Sequence, residues 1–123
     1  MNKKRILLVD DEEDMVFAVK MQLEALDFEV ITASDGQEGL NKARREKPDL
    51  IILDVMLPKL YGYNVCRMLK FDSKYKHIPI ILFTSRAQEE DEKVGLEVGA
   101  DAYITKPFGP QVLVKKINQL IKK

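Results

Sequence analysis

The chain has 123 residues, 20 Lys plus Arg against 20 Asp plus Glu, a formal net charge of zero, and one cysteine. That length fits one domain with one core, and the balanced charge exerts no net pull toward nucleic acid. The lone Cys66 excludes an intrachain disulfide, and no apolar run approaches the roughly 20 residues a membrane-spanning helix needs.

Met1-Asn2-Lys3-Lys4-Arg5 is basic, but the apolar run after it is only Ile6-Leu7-Leu8-Val9 and stops at Asp10-Asp11. It does not read as a signal peptide, so a cytoplasmic location is the expectation. Residues 5–9 read as a first strand. Asp14 to Leu26 carries Met15, Val16, Val19, Leu23 and Leu26 at helical spacing. Glu29 to Ala33 reads as a second strand, less hydrophobic and nearer an edge. Ser34-Asp35-Gly36 is turn chemistry, and Ser34 or Asp35 suits the cap of a helix near residues 36–46. Asp49 to Leu53 is apolar after its first residue, as expected of a central strand covered on both faces, and Asp54 follows it. After Pro58 and Gly62 a helix is predicted from Tyr63 to Lys70. Ile78 to Phe83 reads as a fourth strand, with Pro79 tolerable near its start. Glu89 to Val98 reads as a polar helix ended by Gly99, Ala102 to Thr105 as a short fifth strand, and Pro110 to Ile121 as the last helix. Lys115, Lys116, Lys122 and Lys123 read as a solvated face of its end. Met15, Met21 and Met68 are expected to fill apolar helix faces, and Cys66 to pack on the helix 63–70. His77, the single histidine, reads as a loop residue.

Strands alternating with helices imply a parallel sheet covered on both faces. The expected fold is α/β, a flavodoxin-like (βα)5 doubly wound sheet of strand order 2-1-3-4-5, which sets the first and third strands side by side. Asp10, Asp11 and Asp54 then meet at the carboxyl ends of two neighbouring strands, where ligands bind in open α/β sheets. Clustered carboxylates repel, so folding alone gives no reason for them. A hard divalent cation such as Mg²⁺ among them does.

Four segments, in order and at matching spacings, carry a resemblance across essentially the whole chain. They are Leu7-Leu8-Val9-Asp10-Asp11, Leu53-Asp54-Val55-Met56-Leu57-Pro58, Phe83-Thr84-Ser85 and Tyr103-Ile104-Thr105-Lys106-Pro107-Phe108. Together they resemble the response-regulator receiver domain of two-component signalling, as in single-domain chemotaxis regulators. The resemblance implies one receiver domain over residues 1–123 and a phosphorylation-activated switch rather than an enzyme with a separate substrate. It implies that Asp54 accepts a phosphoryl group from a histidine kinase or phosphotransferase. Asp10, Asp11, Asp54 and the backbone carbonyl of Met56 would bind Mg²⁺. Lys106 would pair with a phosphoryl oxygen, aimed by a cis peptide between Lys106 and Pro107. Thr84 and Tyr103 would be the switch pair, and Ser85, being small, would leave the phosphoryl path open. The output face would be residues 88–122, acting on a downstream protein rather than directly on nucleic acid or a membrane, as a monomer or a weak phosphorylation-dependent dimer.

The chain also departs from the family's commonest pattern. Lys59-Leu60-Tyr61-Gly62 stands where Gly-Met-Asp-Gly is common, so Tyr61 and Tyr63 become contact-surface candidates beside ordinary packing. Gly99-Ala100-Asp101-Ala102-Tyr103 and Val112 lack acids that DNA-binding members use for symmetric dimerisation. Met56 and Arg86 flank the path of a hydrolytic water, and exchanging them is expected to alter phosphoryl lifetime. Three other classes compete. An aspartyl-nucleophile hydrolase of the haloacid-dehalogenase type needs Asp-x-Asp, but Met56 stands two residues after Asp54. A flavodoxin needs a phosphate-cradling loop, which Asp10-Asp11-Glu12-Glu13-Asp14 would repel. A degenerate receiver acting as a fixed interaction module is opposed by the presence of all five site residues.

Overall fold

The structure is a computed structural model that describes residues 3–84, 97–105 and 110–121. Its five strands are β1 (Arg5–Val9), β2 (Glu29–Ala33), β3 (Leu50–Asp54), β4 (Ile80–Thr84) and β5 (Ala102–Thr105). The described helices are α1 (Glu13–Ala25), α2 (Gly36–Glu46), α3 (Gly62–Lys70) and α4 (Pro110–Ile121). All strand pairs are parallel, in the order β2-β1-β3-β4-β5. That is the predicted flavodoxin-like order, with β2 at an edge and β3 in the centre. The chain moves outward from β1 to β2 and then crosses back to β3, so the direction of winding reverses between β1 and β3.

Strand periodicity divides the core in two. Leu7, Val9, Ile51, Leu53, Ile80 and Leu82 face the layer that holds Leu40 and Ala43 of α2 and Val65, Cys66 and Leu69 of α3. Ile6, Leu8, Leu50, Ile52, Ile81 and Phe83 face the other layer, with Val19 and Leu23 of α1 and Leu113 and Ile117 of α4. Every residue of β3 and β4 is buried. Continuous apolar runs without alternation are what a doubly covered parallel strand requires.

The helix ends follow from local chemistry. Asp35 caps α2 by accepting the Glu38 N–H at 2.7 Å. Lys47 leaves α2 in the left-handed region, φ 46°, just before Pro48. Asp27 at φ 73° ends α1: its N–H donates to the Glu24 carbonyl and that of Phe28 to the Leu23 carbonyl, a Schellman closure without glycine. Gly99 has φ 89° just after Glu97, the last helical residue of its segment, as the predicted helix stop requires. The rest of the helix expected over Glu89–Val98 lies outside the described residues, as do Ser85 and Arg86.

Some expectations shift. β4 begins at Ile80 rather than Ile78, because Pro79 has no N–H and enters the ladder only through its carbonyl, which accepts from Ile51 at 2.9 Å. β3 runs Leu50–Asp54, so Asp54 is the last residue of the strand and not the one after it. Met21 and Met68 are not core filler: they are 55% and 44% exposed, on helix faces turned from the sheet. Only Met15 packs at the edge of the core. Cys66 is fully buried in α3, and burial pushes its thiol up to about 12, so it packs as a small apolar group. His77 is an exposed residue in the turn before β4.

Candidate functional site

The sheet register assembles the site. Val9 lies opposite Leu53 across the β1–β3 pair, so Asp10 leaves the sheet beside Asp54. Asp10, Asp11 and Asp54 each offer a carboxylate oxygen within 4.8 Å of the others. Asp10 and Asp54 are buried, 2% and 5% exposed, while Asp11 faces solvent. Asp10 is held by its N–H to the Ala33 carbonyl at 3.1 Å, and its Oδ1 accepts the Glu12 N–H at 2.9 Å. Oδ1 of Asp54 accepts the Met56 N–H at 3.3 Å, and the Val55 N–H is tied to the Phe83 carbonyl at 3.1 Å. Hard carboxylate oxygens gathered this closely suit a small hard divalent ion, which prefers oxygen ligands. The three acids predicted to meet do meet.

The loop after Asp54 is pinned at both ends by close backbone approach. A Cβ on Gly62 would lie 2.0 Å from the Asp54 carbonyl oxygen, and the Gly62 N–H donates to the Val55 carbonyl at 2.9 Å. A Cβ on Gly36, at the start of α2, would lie 1.7 Å from the Leu60 carbonyl oxygen. Between them Lys59 has φ 69°, and the Leu60 N–H donates back to the Pro58 carbonyl at 2.7 Å, the hydrogen bond of a tight three-residue turn. The Pro58 carbonyl also accepts the Gly36 N–H at 3.1 Å. The sequence places Gly36 at a turn leading into a helix near residues 36–46 but does not reveal this clasp. The signal available was Asp35-Gly36 at one strand end and Pro58-Lys59 at another, but nothing local joins them.

Thr84 ends β4 and is 1% exposed. Leu82 pairs with Tyr103 and Thr84 with Thr105, so Thr84 and Tyr103 lie on the same face of the sheet. Tyr103 is half-buried against the layer that contains Leu82 and Val98. The two tyrosines near α3 part company: Tyr63 packs on the core and Tyr61 is 57% exposed. Lys106 and Pro107, with the expected cis peptide between them, lie outside the described residues; Lys106 follows Thr105 at the end of β5.

The model of the response regulator receiver domain matches residues 6–118. The chain belongs to that family. It is 49% identical over its whole length to the alkaline phosphatase synthesis transcriptional regulatory protein PhoP of Bacillus subtilis, of which it covers 50%. It superposes on a response regulator from Chloroflexus aurantiacus with a TM-score of 0.94 at 30% identity, covering 99% of this chain and 100% of that one. The chemotaxis protein CheY4 of Vibrio cholerae gives a TM-score of 0.90 at 34% identity, covering 97% and 99%. This receiver domain spans about half the length of the curated relatives it matches. No described helix is long and apolar enough to cross a membrane.

Proposed function

We propose that this receiver domain is a phosphorylation-activated switch whose phosphoacceptor is Asp54. The observation that carries the reading is the buried pair Asp10 and Asp54 with the exposed Asp11, three carboxylates within 4.8 Å at the ends of β1 and β3. Asp10, Asp11, Asp54 and the backbone carbonyl of Met56 would hold Mg²⁺, with water and a phosphoryl oxygen in the remaining positions. Bound there, Mg²⁺ supplies positive charge against the negative charge of the phosphoryl oxygens in transit.

A carboxylate oxygen of Asp54 attacks phosphorus as the P–N bond to a donor imidazole breaks; the imidazole nitrogen leaves with the bonding pair and takes up a proton. The Lys106 ammonium pairs with a phosphoryl oxygen, and with Asp54 before transfer. The Thr84 hydroxyl donates to the phosphoryl group, and Tyr103, on the same face, moves into the space Thr84 leaves. The phosphorylated form favours one arrangement of the output face, residues 88–122, and so changes what that face binds. Partner kinase or phosphotransferase meets the loops around Asp54 and the start of α1. The domain acts in the cytoplasm.

The identity to PhoP over this whole chain favours a transcription-regulating output as the downstream target. A diffusible protein target, as for a chemotaxis regulator, is the alternative that the likeness to CheY4 supports.

The test is intact mass after incubation with acetyl phosphate and Mg²⁺. A single phosphoryl adduct is expected that needs Mg²⁺ and disappears in Asp54→Ala. A folded protein that takes no adduct with Mg²⁺ present would make this a fixed interaction module.

A further inference from the structure

We infer that Gly36, which stands outside the acidic cluster on the amino end of α2, is a positioning residue for the divalent-cation site. The inference rests on the proposed role of the Met56 carbonyl as a ligand. Met56 lies on the loop between β3 and α3; buried Val55 and Leu57 and the Gly62 N–H to Val55 carbonyl bond hold its stem, and its tip, Pro58 to Leu60, needs a restraint of its own. Lys59 at its tip takes a left-handed conformation that L residues disfavour. The ion pair from Lys59 to Asp35 is 3.6 Å long, and the lysine is 72% exposed, so it restrains little. At the tip the restraint comes from the backbone. The Pro58 carbonyl accepts both the Leu60 N–H at 2.7 Å, which closes the turn, and the Gly36 N–H at 3.1 Å, which ties the turn to α2. The second bond is possible only because Gly36 has no side chain, since a Cβ there would overlap the Leu60 carbonyl carbon and oxygen at 2.6 and 1.7 Å. These are backbone atoms and cannot rotate aside. Asp35 in turn fixes the first turn of α2 through its cap on Glu38.

A metal ligand supplied by a loop carbonyl is only as well placed as the loop, and removing groups that orient ligands weakens metal affinity by about ten- to a hundred-fold. Gly36 therefore sets cation affinity from across the β2–α2 connection without touching the cation.

The experiment is calorimetric titration of Mg²⁺ into the wild type, Asp11→Ala, Gly36→Ala, Lys59→Gly and Lys59→Val, with a urea midpoint for each. Ala43→Gly, on the buried side of α2 and away from the loop, controls for loss of stability alone. Gly36→Ala is expected to weaken Mg²⁺ binding at least about tenfold, and Ala43→Gly to leave it unchanged at a similar midpoint. Lys59→Gly, which keeps the left-handed turn, should bind as the wild type does. Lys59→Val, whose branched side chain resists that conformation, should weaken binding like Gly36→Ala, and it carries the test if Gly36→Ala does not fold. Wild-type affinity in folded Gly36→Ala, or in Lys59→Val where only that variant folds, overturns the inference while leaving the site reading intact. Wild type that binds no Mg²⁺, or binding that survives Asp11→Ala, overturns the site reading and the inference with it.

Discussion

Lys59 shows how a single residue carries opposing terms. A left-handed L residue is strained by ~1–2 kcal/mol relative to glycine, and Lys59 has φ 69°. Its pair with Asp35 is exposed and returns at most about 1 kcal/mol, more commonly a fraction of that. Glycine would lose about 0.5–1 kcal/mol in extra chain entropy. The strain is the largest of these, so Lys59→Gly should raise stability slightly, by about 0.5 kcal/mol, read from the urea midpoint. A fall in the midpoint would mean that the ion pair and the added chain entropy together outweigh the strain. Asp10 and Asp54 were legible as residues because each terminates a run of apolar neighbours. Their separate burial from Asp11 was not, because exposure depends on what the surrounding loops cover.

At the scale of the element, the start of α2 is both a helix cap and part of the site's support. Glu38 accepts the backbone N–H of Ser34 at 2.8 Å and pairs with Lys42 at 3.1 Å. Its carboxyl pKa is held below the ordinary glutamate value, first by the Ser34 backbone N–H and then by Lys42. A depressed folded pKa means the stabilisation is complete above the unfolded value and is lost as pH falls through it and below. Urea midpoints followed from neutral pH down to about pH 3 should therefore fall less steeply below about 4.5 in Glu38→Gln than in the wild type. The effect will be modest, since the carboxylate is 38% exposed and screened. Parallel curves would exclude Glu38 as a source of acid sensitivity. Helix positions were readable from apolar spacing, and the Asp35 cap from residue type. The end of α1 was bounded at Leu26, its C-cap, but the closure after it was not foreseen, because Asp27 performs in the left-handed region what glycine or asparagine usually signals. Met21 and Met68 were misplaced for a similar reason: an apolar residue is compatible with a core face but does not prove one.

For the whole molecule, the end of the sheet opposite the acidic site is tied together by Lys70 and Asp101. Lys70 Nζ donates to the Ile78 carbonyl at 3.0 Å and to Asp101 Oδ2 at 2.9 Å, and the same oxygen accepts the Ile80 N–H at 2.8 Å. The Asp101 N–H donates to the Ile80 carbonyl at 2.9 Å. One carboxylate thus joins α3, the start of β4 and the turn into β5, with the Lys70 side chain only 11% exposed. Asp101→Ala removes the acceptor of a nearly buried ammonium and of a backbone N–H, and should destabilise by about 2–3 kcal/mol in urea unfolding. A loss under about 0.5 kcal/mol would mean that water replaces the carboxylate without penalty.

By itself the sequence determined the fold class, the strand order and the identity of the three clustered acids. Buried parallel strands, turn residues and helical spacing are local patterns, and right-handed crossovers leave few ways to connect them. Ile6 to Val9 and Leu50 to Leu53 could belong only to covered strands, so the acids following them had to emerge at the same edge. Tertiary structure alone decided which backbones touch across connections distant in sequence. The approach of Gly36 to Leu60, the hydrogen bond from the Gly36 N–H to the Pro58 carbonyl and the sharing of Asp101 between Lys70 and Ile80 each join segments about 20 residues or more apart. Such contacts arise from sheet twist, crossover length and side-chain volume acting together, and no single stretch of sequence encodes them.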